Sequence, residues 1–159
     1  MSSKMAGALG KAKGIQRGAV ASGWAVATLA ATVINPTLRS LYSLFAEPAT
    51  ERGGLAATVI VISMVSGFLS YLVGGYMAAK MSRYSGGKHG ALTAVFGLLI
   101  GIILAIVLAL FGLVFAGGFT VPPASFGFAG AALVAGLVLF LVNLFGGFIG
   151  GKLGEPSRM

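Results

Sequence analysis

The chain has no cysteine, no aspartate, and acids only at Glu47, Glu51 and Glu155. Without cysteine there is no disulfide, no thiolate nucleophile and no sulfur ligand for a metal. His89 is the single histidine. One imidazole without a converging acid or thiolate makes neither a metal centre nor an acid–base pair. The stretch SGGKHG at 85–90 invites comparison with the phosphate-binding loop GxxxxGK[ST]. It fails at both ends, because Ser82 stands at the first glycine and His89 at the hydroxyl position. His89 is therefore expected as a solvated loop residue, and the chemistry points away from an enzyme, with no catalytic residue, metal or cofactor.

Charge is also scarce. Charged residues are 9% of the 159, whereas 57% are hydrophobic. Soluble domains carry about a quarter charged residues, so this chain cannot cover a water-exposed surface. What it has instead is long apolar runs. Residues 92–115 and 55–78 are the clearest, 131–150 follows, and 18–35 is weaker and alanine-rich. Each is about the length that crosses roughly 30 Å of hydrocarbon as a helix. The first is expected to stop at Asn35-Pro36, because proline disfavours helix in the residue before it. Its basic start also fits a secretory signal.

The net charge of +8 is carried by residues that flank the apolar runs, so it indicates anionic lipid and topology rather than nucleic acid. Lys4, Lys11, Lys13 and Arg17 precede the first run. Lys80, Arg83 and Lys88 lie between the second and third, and Lys152 and Arg158 follow the fourth. Nine of the eleven basic residues thus fall on one side, which makes that side cytoplasmic and places both termini there. The expected organisation is a basic segment at 1–17, one membrane domain at 18–150 and a cytoplasmic tail at 151–159. Between the first two spans, Leu38, Leu41, Tyr42 and Phe45 recur at helical spacing and predict a short interfacial helix. The uncharged connection 116–130, with Phe119, Phe126 and Phe128, is expected to anchor at the interface.

A repeat runs beneath this pattern. Residues 74–80 are GGYMAAK and residues 146–152 are GGFIGGK. At the same offset of 72, Phe68 and Leu69 land on Phe140 and Leu141, Gly18-Ala19 on Gly90-Ala91, and Trp24 on Phe96. The units are about 14–83 and 86–155, each crossing twice, and so related by a pseudo-two-fold axis along the membrane normal. The repeat favours retention of 18–35 as a true span. The fold class expected is all-α: an antiparallel four-helix transmembrane bundle of two tandem hairpins.

The 26 glycines fall in stripes at intervals of four. Ser66, Ser70, Gly74 and Ala78 form one, with Gly75 beside it. Ala19, Gly23, Ala27 and Ala31 form another, as do Thr93, Gly97, Gly101, Ala105 and Ala109, and Gly146, Gly150 and Gly154 with Gly147 and Gly151 adjacent. Small residues at this spacing let helices approach closely where lipid provides no hydrophobic push. They predict a bundle tightest at the cytoplasmic end. Lys80 and Lys152, just past the apolar segments, are expected to anchor among headgroups, with Trp24 as a further anchor. Asn143 is the costliest polar residue within a span. A hydrogen bond to Tyr71, its counterpart in the repeat, is the expected remedy.

Gly74-Gly75-Tyr76-Met77-Ala78-Ala79-Lys80, followed by Gly87-Lys88-His89-Gly90-Ala91, resembles the signature G-G-[YF]-x-A-G-[KR] … H-G of small, uncharacterised prokaryotic membrane proteins of the YrzE type. Ala79 replaces the usual Gly, and Lys80 the more usual Arg. The resemblance covers mainly 66–110 and implies four spans in a prokaryotic cytoplasmic membrane, with no activity attached. The function expected is that of an accessory or structural subunit, or a self-associating bundle, whose partners are membrane lipids and either further copies or a larger membrane complex. The alternative is a small pore, holin-like protein or transporter.

Overall fold

The computed structural model describes residues 14–45, 57–82, 85–115 and 131–155. Lys4, Lys11, Lys13, Arg83, Arg158 and the connection 116–130 lie outside the described residues. Four helices account for nearly all of the rest: α1, Arg17–Ser43; α2, Ala57–Met81; α3, Gly86–Phe115; and α4, Ala131–Gly154. All four are long and apolar enough to cross a membrane. The chain is thus an all-helical, multi-pass membrane protein.

Two boundaries differ most from expectation. α1 does not stop at Asn35 but continues through Pro36 to Ser43. No separate short helix begins near Leu38; Leu38, Leu41 and Tyr42 belong to the same helix. Proline removes one backbone donor and biases the preceding residue away from helix. The carbonyl left without its donor is that of Thr32, a small loss beside ending the helix in lipid, where every further unpaired backbone group is costly. Here the Thr32 hydroxyl donates to the Leu29 carbonyl, and the Thr37 hydroxyl to that of Val33. Arg39 Nε donates to Asn35 Oδ1, tying the two sides of the proline.

The second difference is at α3, which starts at Gly86, so the glycines of 85–90 are helix rather than loop. Ser85 turns the chain with φ 52°. Its carbonyl then accepts from the amides of Lys88 and His89 and opens the helix. Glycine costs about 1 kcal/mol against alanine in a helix, and the contacts described below offset that cost. α4 likewise runs past 150 to Gly154.

α2 packs against all three other helices, most extensively against α4 and α1. α3 packs on α4, α2 and α1, whereas α1 and α4 do not meet. The buried residues gather where α1 and α3 begin and α2 and α4 finish. Among the described side chains none is buried beyond Ala27 in α1, beyond Ala94 in α3, before Ser66 in α2 or before Gly146 in α4. At the other end, Ile103, Leu104, Ile106, Val107, Leu108, Leu110 and Phe111 of α3 are all more than half exposed, whereas Gly101, Ile102 and Ala105 on the remaining side are partly covered.

Candidate functional site: the glycine-packed end

At the buried end the helices touch backbone to backbone. Gly146, Gly150 and Gly154 of α4 face the carbonyl oxygens of Phe68, Leu72 and Tyr76 of α2. A turn forward on α4 meets a turn forward on α2. A methyl at Gly146 would lie 2.6 Å from the Phe68 oxygen, one at Gly154 2.5 Å from that of Tyr76, and one at Gly150 closer still to that of Leu72. The adjacent face of α4 meets α3: Gly147 and Gly90 face each other's carbonyls, as do Gly151 and Gly86. Here a turn forward on α4 meets a turn back on α3. At each site a glycine Cα hydrogen points at a carbonyl oxygen. Such Cα–H···O contacts are worth about 0.5–1 kcal/mol each, and they exist only because no side chain intervenes.

α2 uses its own glycine pair differently. Gly75 faces the Gly147 carbonyl of α4, whereas Gly74 turns to α1, within 2.5 Å (at its Cβ position) of the Gly23 carbonyl and 2.6 Å of the Ala27 methyl. The following alanines fill glycine hollows. The Ala78 methyl is seated on Gly23, and the Ala79 methyl sits between Gly86 of α3 and Gly154 of α4. Ala78 and Ala79 are accordingly 0% and 1% exposed. Gly97 of α3 is covered by the Tyr71 hydroxyl and by the Trp24 indole. Gly101 lies one turn further on, partly exposed.

The polar residues buried here are satisfied mostly within their own helices. Ser70 Oγ donates to the Ser66 carbonyl at 2.7 Å, and Thr93 Oγ1 to that of His89 at 2.9 Å. Bonding back to the preceding turn leaves the helix surfaces smooth for close approach.

His89 is not the solvated loop residue expected. It lies in the first turn of α3, 4% exposed, because the helix starts earlier than the sequence suggests and turns position 89 towards α1. Its Nε2 accepts the backbone N–H of Gln16, the residue that precedes α1, at 3.0 Å. Its Nδ1 is 3.1 Å from the Ser85 carbonyl. A backbone N–H can only donate and a carbonyl can only accept. The ring is therefore neutral, with its proton on Nδ1.

The expected bond between Tyr71 and Asn143 is not formed. Asn143 Oδ1 is buried with no hydrogen-bond partner and lies over Gly67 of α2, whereas the Tyr71 hydroxyl lies over Gly97 of α3. The repeat puts the two residues at matching places in sequence, but their helices turn them to different neighbours. Trp24, expected as an interface anchor, is turned inward: it meets Phe96 edge to face, with ring centroids 5.7 Å apart. Lys80 and Lys152 are exposed in the last turns of α2 and α4. Each ammonium stands over the ring one turn back, Lys80 Nζ 5.4 Å from Tyr76 and Lys152 Nζ 6.0 Å from Phe148.

Gly86, Gly90 and Gly67 were not marked by the stripes in sequence. Gly86 and Gly90 do carry the spacing of four, hidden because 85–90 looked like a loop. No group of three His, Cys, Asp or Glu residues converges among the described residues. Comparison with protein-family models, with curated proteins and with solved structures finds no match to this chain.

Proposed function

We propose that this chain is a non-enzymatic membrane protein whose work is packing, as an accessory or structural subunit or as a self-associating bundle. The observation that carries this reading is the backbone-to-backbone closure of α2, α3 and α4 around Gly75, Gly90, Gly147 and Gly151. Helices this close leave no water path between them at that end, which argues against a pore or carrier formed by one copy. A conducting path would have to lie between copies. The long apolar part of α3 that is exposed among the described residues fits lipid or a neighbouring subunit.

The finer architecture proposed is two tandem hairpins. Its support is the opposite stepping of Gly147 and Gly151 against Gly90 and Gly86, together with a contact between Tyr42 Oη and Thr58 Oγ1 at 3.4 Å near the far ends of α1 and α2. The repeat is supported by counterparts that meet, Trp24 with Phe96 and Gly75 with Gly147. In this reading the glycine-packed end is cytoplasmic, because Arg17, Lys80, Lys88 and Lys152 all lie at it. Lys80 and Lys152 extend to anionic headgroups. The proposed setting is a prokaryotic cytoplasmic membrane, in keeping with the YrzE-type resemblance, with no nucleic-acid partner and no cofactor.

The test is purification from the native membrane in mild detergent, paired with reconstitution into dye-loaded liposomes. A fixed co-purifying membrane protein, or a defined homo-oligomer, with dye retained is the expected result. Dye release in proportion to reconstituted protein would replace the packing role with a pore between copies.

A further inference from the structure

The four helices are not held equally. α2, α3 and α4 share glycine-to-carbonyl contacts at Gly75, Gly86, Gly90, Gly146, Gly147, Gly150, Gly151 and Gly154. α1 meets no part of α4 and packs chiefly on α2, where Gly74 meets the Gly23 carbonyl and the Ala27 methyl and amide, one to two turns into the helix. Gly18, one turn earlier, has nothing within 4 Å, although its repeat counterpart Gly90 is pressed against Gly147. Ala19 and Val20 are nonetheless buried. No side chain caps the start of α1, and its first turn holds no acid. The Gln16 amide is directed instead into the His89 ring.

We propose that the beginning of α1 is a strap that opens and closes on a stable core of α2, α3 and α4, with His89 as its catch. The catch depends on proton placement. Only an unprotonated Nε2 accepts the Gln16 N–H, and Nδ1 must then carry the hydrogen that the Ser85 carbonyl receives. When the strap lifts, the catch opens and Ala19 becomes accessible, while the contacts of α3 on α4 persist.

The absence of native cysteine allows a direct test in the intact protein. Ala19→Cys reports on the strap, and Ala94→Cys, on α3 and 2% exposed, reports on the core. Each is reacted with a maleimide with and without His89→Ala, and with His89→Gln, whose amide oxygen can also accept. A neutral hydrogen bond is worth about 1 kcal/mol net, a factor of about five in an equilibrium. Labelling at position 19 is therefore expected to quicken about fivefold in His89→Ala and to fall back towards the parent rate in His89→Gln. Position 94 should not change. Equal acceleration at both positions, or none at position 19, overturns the strap. If His89→Ala does not fold, nitrogen-15 NMR of the unsubstituted imidazole decides: a hydrogen on Nδ1 supports the catch, and one on Nε2 removes it.

Discussion

GGYMAAK at 74–80 and GGFIGGK at 146–152 occupy corresponding places and end in lysines stacked on corresponding rings, and both open with glycines that admit a neighbour's carbonyl, yet one turn on they pack by opposite means. The first copy supplies methyl groups: Ala78 is seated on Gly23, and Ala79 between Gly86 and Gly154. The second copy supplies hollows. Gly146 and Gly150 admit α2 carbonyls on one face, while Gly147 and Gly151 admit those of α3 on the other. α4 is thus a wedge bare on two sides, whereas each face of α2 carries one glycine and, a turn on, one alanine: Gly74 and Ala78 towards α1, Gly75 and Ala79 towards α4. What the motifs share marks where a helix ends; where they differ assigns each copy its neighbours. The two copies are therefore not interchangeable, although the pattern of basic residues and apolar runs treats them alike.

The largest expected effect follows from exchanging those roles. Gly150→Ala places a methyl on the Leu72 carbonyl, a backbone group that cannot rotate away. Overpacking costs typically 1–3 kcal/mol, and this site should lie at the upper end, about 3 kcal/mol. Its counterpart Ala78→Gly removes a methyl and adds backbone freedom, with a cost of about 1 kcal/mol. Reversible unfolding in mixed micelles measures both. Equal costs would mean that the motifs are equivalent after all.

A smaller contrast, of opposite sign, is expected between Gly90 and Gly18. Gly90→Ala drives a methyl into the Gly147 carbonyl and should destabilise by about 2 kcal/mol. Gly18→Ala meets nothing and should stabilise by about 0.5 kcal/mol, the helix preference of alanine reduced near a helix start. A loss at position 18 as large as that at position 90 would show that α1 packs as α3 does.

The membrane spans were legible in the sequence because their signal is carried by some twenty residues at once. Gly146, Gly150 and Gly154 were legible as one stripe because spacing alone puts them on one face. The partner of each stripe was not legible, since a glycine has the same letter whether it meets α2 or α3. Pro36 and His89 show the other limit. Proline's local preference argued for a helix end, but in an apolar surrounding the cost of unpairing several backbone groups overrode the loss of one bond. The run SGGKHG argued for a loop by composition, but its glycines are what allow α3 to start against α4. In both places the surroundings, lipid at Pro36 and the face of α4 at Gly86 and Gly90, outweighed a local rule that would have held in isolation.

The smallest expected effect sharpens the same comparison at positions 71 and 143, counterparts that share no bond. The buried carbonyl of Asn143 has no partner, and an unpaired buried acceptor costs about 1–3 kcal/mol. Asn143→Leu keeps much of the shape over Gly67 and removes that acceptor, so a gain of about 1 kcal/mol is expected. Tyr71→Phe should change stability by less than about 0.5 kcal/mol. The double variant should be additive to within about 0.5 kcal/mol, as for side chains that do not touch. An interhelical hydrogen bond between them would instead give a loss for each single variant and a coupling of about 0.6 kcal/mol or more. A loss at Asn143 with that coupling would restore the bond across the repeat, and the helix rotation that separates the two residues here would then not be the one the protein uses.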